Sequence, residues 1–109
     1  MRVFLAGLAS CALTLGAVDA QARPLSQHQR GVCQWGAQIA AQAQQSKLSG
    51  TTLYASRKKL QVRKFAKPWM RMTAMGITEQ TYNSQSRLPP KAIQQTYYEQ
   101  CVQHAVAQR

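Results

Sequence analysis

Acidic side chains are scarce. Three Asp and Glu stand against 14 Lys and Arg, for a formal charge of +11. Beyond residue 20 no aspartate remains, and the only acids are Glu79 and Glu99. A carboxylate pair could therefore only be those two, and a Ser-His-Asp triad cannot be assembled. No glycine-rich phosphate loop is present, and no helix-turn-helix, zinc-finger or RNA-recognition signature accompanies the charge. The apolar runs fall short of the ~20 residues that a bilayer-spanning helix needs. Internal repeats are absent, and glutamine is abundant without forming a low-complexity tract. These absences argue against an enzyme and leave no evident small-molecule substrate or cofactor.

What is present begins with a leader. Met1-Arg2 supplies a positive start, Val3 to Val18 is almost wholly apolar or small, and Val18-Asp19-Ala20 and Ala20-Gln21-Ala22 offer small residues at cleavage positions. That order describes a secretory signal peptide over residues 1–20, with cleavage after Ala20 or after Ala22. Leu8-Ala9-Ser10-Cys11 resembles a lipobox. However, the apolar segment before Cys11 is very short and the hydrophobic run continues past it, so cleavage near residue 20 is the better reading. The mature chain loses one cation and one anion and keeps its charge of +11. Export places the protein in the periplasm or outside the cell. In that oxidising setting the two remaining cysteines, Cys33 and Cys101, form a disulfide by default. A chain this small needs such help, and closing so long a loop contributes roughly 4 kcal/mol in the chain-entropy model.

Hydrophobic spacing predicts an all-α domain over 31–109, a small bundle of three to four helices preceded by a flexible lead-in at 21–30. Val32, Trp35, Gly36, Ile39, Ala40 and Ala43 recur at helical spacing, with Gln34, Gln38, Gln42 and Gln45 opposite, and Ser49-Gly50 should end that helix. Thr51 or Thr52 can cap a second helix running to Phe65. Pro68 suits the first turn of a third, with Trp69, Met72, Met75 or Gly76, and Tyr82 inward. Gly76 could split it. After a loop at 84–88, Pro89-Pro90 opens a last helix, with Ile93, Tyr97, Cys101 and either His104 or Ala105 facing the core. Antiparallel packing of the first and last helices would bring Cys33 to Cys101.

Cys33-x5-Ile39-Ala40-x2-Ala43, the stop at Gly50, Ile77-x4-Tyr82 and Pro90-x6-Tyr97-x3-Cys101 together resemble a diffuse group of small exported proteobacterial proteins. The resemblance covers most of the mature chain and rests on structural positions. It implies export and a disulfide-tied helical fold, and it carries no active site across. The basic segment 57–71 departs from that pattern.

In that segment Arg57, Lys58, Lys59, Arg63, Lys64, Lys67 and Arg71 occur without one acid among them. On a continuous helix Lys59, Arg63, Lys67 and Arg71 would share a face, and Tyr54, Val62, Phe65, Trp69 and Met72 the other. Such a stretch suits an anionic membrane surface, lipopolysaccharide or an acidic protein, with Phe65 and Trp69 supplying apolar contact. Near an anionic bilayer each cation contributes about 1 kcal/mol before losses from non-additivity. The competing reading is a helix with a packed apolar face and a merely solvated basic one. Nucleic acid would bind by charge alone, and export separates the protein from cytoplasmic DNA. Two metal readings rank lower. His28, Cys33, Cys101 and His104 could form a Cys2His2 zinc set only if the thiols were reduced, and Met70, Met72 and Met75 have the softness for copper(I). The expectation is a non-catalytic binder of an anionic partner. The alternative is a structural or stress-protective, chaperone-like envelope protein whose charge serves solubility.

Overall fold

The computed structural model describes residues 25–107, so the leader, Cys11 and the start of the mature chain lie outside the described residues. Within them the chain forms four helices and no strand: α1 (Gln27–Leu48), α2 (Leu53–Val62), α3 (Pro68–Asn83) and α4 (Pro90–Ala107). The all-α, disulfide-closed bundle expected from the sequence is the observed fold.

The lead-in is shorter than expected, because α1 already starts at Gln27. Ser26 caps it: its hydroxyl accepts from the Gln29 N–H at 3.1 Å, while the Gln29 amide oxygen accepts from the Ser26 N–H at 3.2 Å. This capping box satisfies two of the amides that a helix start leaves unpaired. At the other end Gly50 takes φ +88°. Thr51 N donates to Ser46 O and Gly50 N to Lys47 O, the paired bonds of a Schellman stop, and glycine permits the left-handed residue there. Thr52 then caps α2 through the Ala55 N–H.

α1 is the spine of the bundle. Gln44 near its end bonds the chain just before α4, and Cys33 near its start meets Cys101 late in α4, so these two helices run antiparallel. Trp35 meets Trp69 and Lys47 meets Thr81, so α1 and α3 run parallel. α2 runs back against both. The central core is Ile39, Ala40, Leu60, Ala74 and Ile77, with Trp35, Phe65, Met75, Ile93 and Tyr97 partly buried around it. Three large aliphatic side chains contribute roughly 1.5–3 kcal/mol each on burial. The disulfide, spanning a sequence separation of 68 residues with its Cα atoms 5.6 Å apart, is therefore comparable to one or two of them.

Three expectations need correction. α2 ends at Val62, not at Phe65: Arg63 turns to extended geometry (φ −70°, ψ 140°), as does Lys67 (φ −136°, ψ 147°) ahead of Pro68. Pro68 accounts for the second of these by clashing with helical geometry in the residue before it. α3 is unbroken at Gly76, and its buried residues are Ala74, Ile77, Thr78 and Thr81. Trp69, Met72 and Gly76 are exposed, and Met75 and Tyr82 half-buried. Met72 lies two residues from Ala74, about 200° around the helix, and so faces away from the core. In α4 the stripe expected to be buried is only half-buried: of the two candidates for its end Ala105 continues it, and no residue of that helix is fully buried.

Candidate functional site

The break after α2 decides how the basic segment is presented. Lys59, Arg63, Lys67 and Arg71 do not form one helical ladder. Arg63, Lys67 and Arg71 surround a tight link between α2 and α3 where α3 begins, while Lys59 sits further back on α2, beside Ser46 and Thr78.

Within the link Phe65 is the anchor. The Arg63 guanidinium lies 5.0 Å and the Arg71 guanidinium 5.6 Å from its ring centroid. Arg71 Nη2 also donates to the Arg63 carbonyl at 2.9 Å, which ties the first turn of α3 to the end of α2. Arg63 Nη1 reaches the Gln42 amide oxygen at 3.4 Å. Behind the link, Trp35 meets Phe65 edge-on at 6.4 Å and Trp69 edge-on at 5.8 Å. Such aromatic contacts add about 0.5–1.5 kcal/mol beyond area burial. Phe65 is thus half-buried in a cluster, with cations above it.

Among the described residues the segment has one ion pair, Arg57 Nε to Glu79 Oε2 at 3.4 Å. Lys58 lies 5.3 Å from the Tyr54 ring. The side chains of Lys59, Lys64 and Lys67 are exposed, with no acid partner among the described residues. No acid occupies the first turn of α3, and Lys67 at its N-cap makes no side-chain cap bond, so the positive helix end adds to the same field. Of the supposed apolar face Phe65 packs on the core and Trp69 on Trp35, but Val62 is 82% exposed, Met72 79% and Trp69 42%. Beside Trp69 a cleft of about 230 Å³ is lined by His28, Gly31, Val32, Trp35, Trp69 and Met70.

The metal candidates fare differently. Cys33 and Cys101 are bonded to each other, which removes the thiolates a zinc site would need. Among the described residues no group of His, Cys, Asp and Glu is arranged to hold a metal. Met70 lines the cleft, Met72 points to solvent and Met75 packs against the core, so the three thioethers do not face one space. Glu79 is engaged by Arg57, while Glu99 is exposed on α4 and accepts from Gln95 at 3.5 Å.

Two features escaped the sequence. Lys47 Nζ donates to the carbonyls of Thr81, Ser84 and Ser86 at 3.1, 3.0 and 2.9 Å, closing the C-terminus of α3. Gln44, fully buried, donates through Nε2 to Ser86 O and Leu88 O, while its Oε1 has no partner. It lies under a groove of about 620 Å³ between α3 and α4, whose walls carry neutral groups such as Gln80, Thr96, Gln100 and Tyr97.

No family model matches the chain, and neither a curated protein nor a solved structure does. No helix among the described residues is long and apolar enough to cross a membrane. The disulfide suits a non-reducing compartment.

Proposed function

We propose that this protein is an exported, non-catalytic binder of an anionic partner, acting in the periplasm or outside the cell through residues 57–71. The observation that carries this reading is a run of cations without acid partners along the last turns of α2 and around the α2–α3 link, where Val62, Trp69 and Met72 are also exposed. A merely solvated basic face would not require apolar side chains among the charges. Phosphate or carboxylate groups of the partner would meet Lys58, Lys59, Lys64 and Lys67, which are free to reorient. Arg63 and Arg71 would add charge while holding the link together.

The test follows from that division. Replacing Lys58, Lys59, Lys64 and Lys67 with Gln removes charge without touching the Arg63–Phe65–Arg71 arrangement. The variant should keep its helical circular dichroism and lose co-sedimentation with phosphatidylglycerol vesicles, lipopolysaccharide and polyglutamate, whichever the wild type binds. Undiminished binding by the variant would sink the reading. The export half is tested by the mass of the native protein. It should begin at Gln21 or Arg23 and be short by the hydrogens lost to the disulfide.

A further inference from the structure

The cationic end also carries an opening that charge alone does not explain. The cleft beside Trp69 is walled by Trp35 and Trp69, with Val32, Met70 and the bare Gly31 completing its apolar lining and His28 at its edge. At about 230 Å³ it lies below the ~300–1,000 Å³ of pockets that enclose a whole small ligand. A single narrow chain segment suits that space better. Phe65, with two guanidiniums over its ring, contacts the same Trp35 that lines the cleft. Cations and cleft are therefore one surface. Tryptophan, with its apolar body and polar N–H, is a residue that settles at the bilayer–water boundary.

We infer that the partner is an anionic glycerophospholipid in a bilayer surface, its phosphate held by the cations around the α2–α3 link and part of one acyl chain seated in the cleft against Trp35 and Trp69. This rests on the reading of the basic segment as an anion-binding surface. An acidic protein would satisfy the lysines but would leave the cleft, Val62 and Met72 facing water. A lipid accounts for both. The charged groups meet the headgroup layer and the apolar ones enter the acyl boundary, the division of labour found in interfacial amphipathic segments.

The chain has two tryptophans, and both line the cleft, which makes the test direct. Trp69→Phe leaves Trp35, half-buried at the inner wall, as the sole reporter. The disulfide-intact mature protein is mixed with phosphatidylcholine vesicles with and without phosphatidylglycerol, their acyl chains plain or brominated. The expected result is binding that requires phosphatidylglycerol, with Trp35 emission shifted to the blue and quenched by brominated chains. Gly31→Phe then fills the cleft. A Cβ at Gly31 meets nothing within 4 Å, so the larger residue enters open space. At matched bound fraction it should reduce the quenching of Trp35 several-fold. Binding to anionic vesicles without quenching of Trp35 would overturn the acyl-chain site and leave the anion-binding surface standing. Binding to polyglutamate but to no vesicle would overturn the lipid assignment alone. Binding to neither would overturn both readings.

Discussion

At Gly36 the first helix has no room for a methyl group. A Cβ there would lie 2.7 Å from Tyr97 Cε1 and 2.9 Å from its hydroxyl oxygen, closer than carbon atoms approach. Alanine would gain up to about 1 kcal/mol in helix propensity but would push the Tyr97 ring off α1, and overpacking of this kind costs about 1–3 kcal/mol. Gly36→Ala should therefore destabilise by about 1 kcal/mol in urea unfolding. In a Tyr97→Ala background the same change should stabilise, because the propensity gain remains and the clash is gone. Tyr97 makes a second prediction. Burial raises its pKa above the ordinary 10.0. A folded pKa above the unfolded one means that the neutral phenol's contribution is intact below about pH 10 and is lost as pH rises through the folded value. The stability difference between wild type and Tyr97→Phe should thus shift against the wild type only at alkaline pH. A flat difference across pH 8 to about 11.5 would contradict it. Gly36 stood in the predicted apolar stripe, but its close approach to Tyr97 could not be read there, since periodicity gives faces and not distances. Gln44 was illegible for another reason. It is one glutamine among many, and only a long-range bond to Leu88 O sets it apart.

Helix ends and helix faces were legible to different degrees. The ends carry local chemistry: Gly50, Thr52, Pro68 and Pro90 stop or start helices where the sequence puts them, and Ser26-x2-Gln29 is a capping box readable within the polar lead-in. Faces depend on the neighbour. Beside Ile77, α3 buries Ala74, Thr78 and Thr81, small residues that let helices approach closely, and turns Met72 outward, so hydrophobic size alone does not mark its packed side. Buried Thr81 meets its own need by donating to Ile77 O at 2.8 Å. Lys47 closes the same helix from outside, with three carbonyl acceptors at the negative end of its dipole. Lys47→Met should lower stability by about 1–3 kcal/mol and speed amide exchange in residues 81–88, leaving α2 unchanged. The last helix is the least embedded element. It contacts α1 and neither α2 nor α3, and none of its residues is fully buried. Its packing along α1 and the disulfide together keep it in place. Cys33→Ser with Cys101→Ser should cost roughly 4 kcal/mol, and hydrogen exchange should show α4 opening ahead of the α1–α3 core. Simultaneous loss of all four helices would mean that α4 belongs to the core after all.

For the molecule as a whole, the asymmetry of charge and apolar surface determines what binding should look like. The opposite end of the bundle also has cations: Lys47, whose ammonium is occupied by carbonyls, and exposed Arg87 and Lys91. What sets the α2–α3 link apart is that its cations stand beside the aromatic cluster of Phe65, Trp35 and Trp69 that borders the cleft. If charge alone drove association, raising salt from 0.1 M to about 0.5 M would shorten the Debye length from about 10 Å to about 4 Å and release the protein from anionic vesicles. An acyl chain held in the cleft against Trp35 and Trp69 adds a contribution that salt does not screen, and apolar contact is if anything strengthened by excluded salts. The expected titration therefore has two parts: a steep loss of binding up to moderate salt, followed by a residue of bound protein that resists further addition. The two parts should separate by mutation. Replacing Lys58, Lys59, Lys64 and Lys67 with Gln should remove the steep part, and Gly31→Phe should remove the salt-resistant one. Co-sedimentation across a salt series reads both. A wild-type curve that falls smoothly to zero would leave the cationic end as a purely electrostatic surface and the tryptophan cleft without a share in binding.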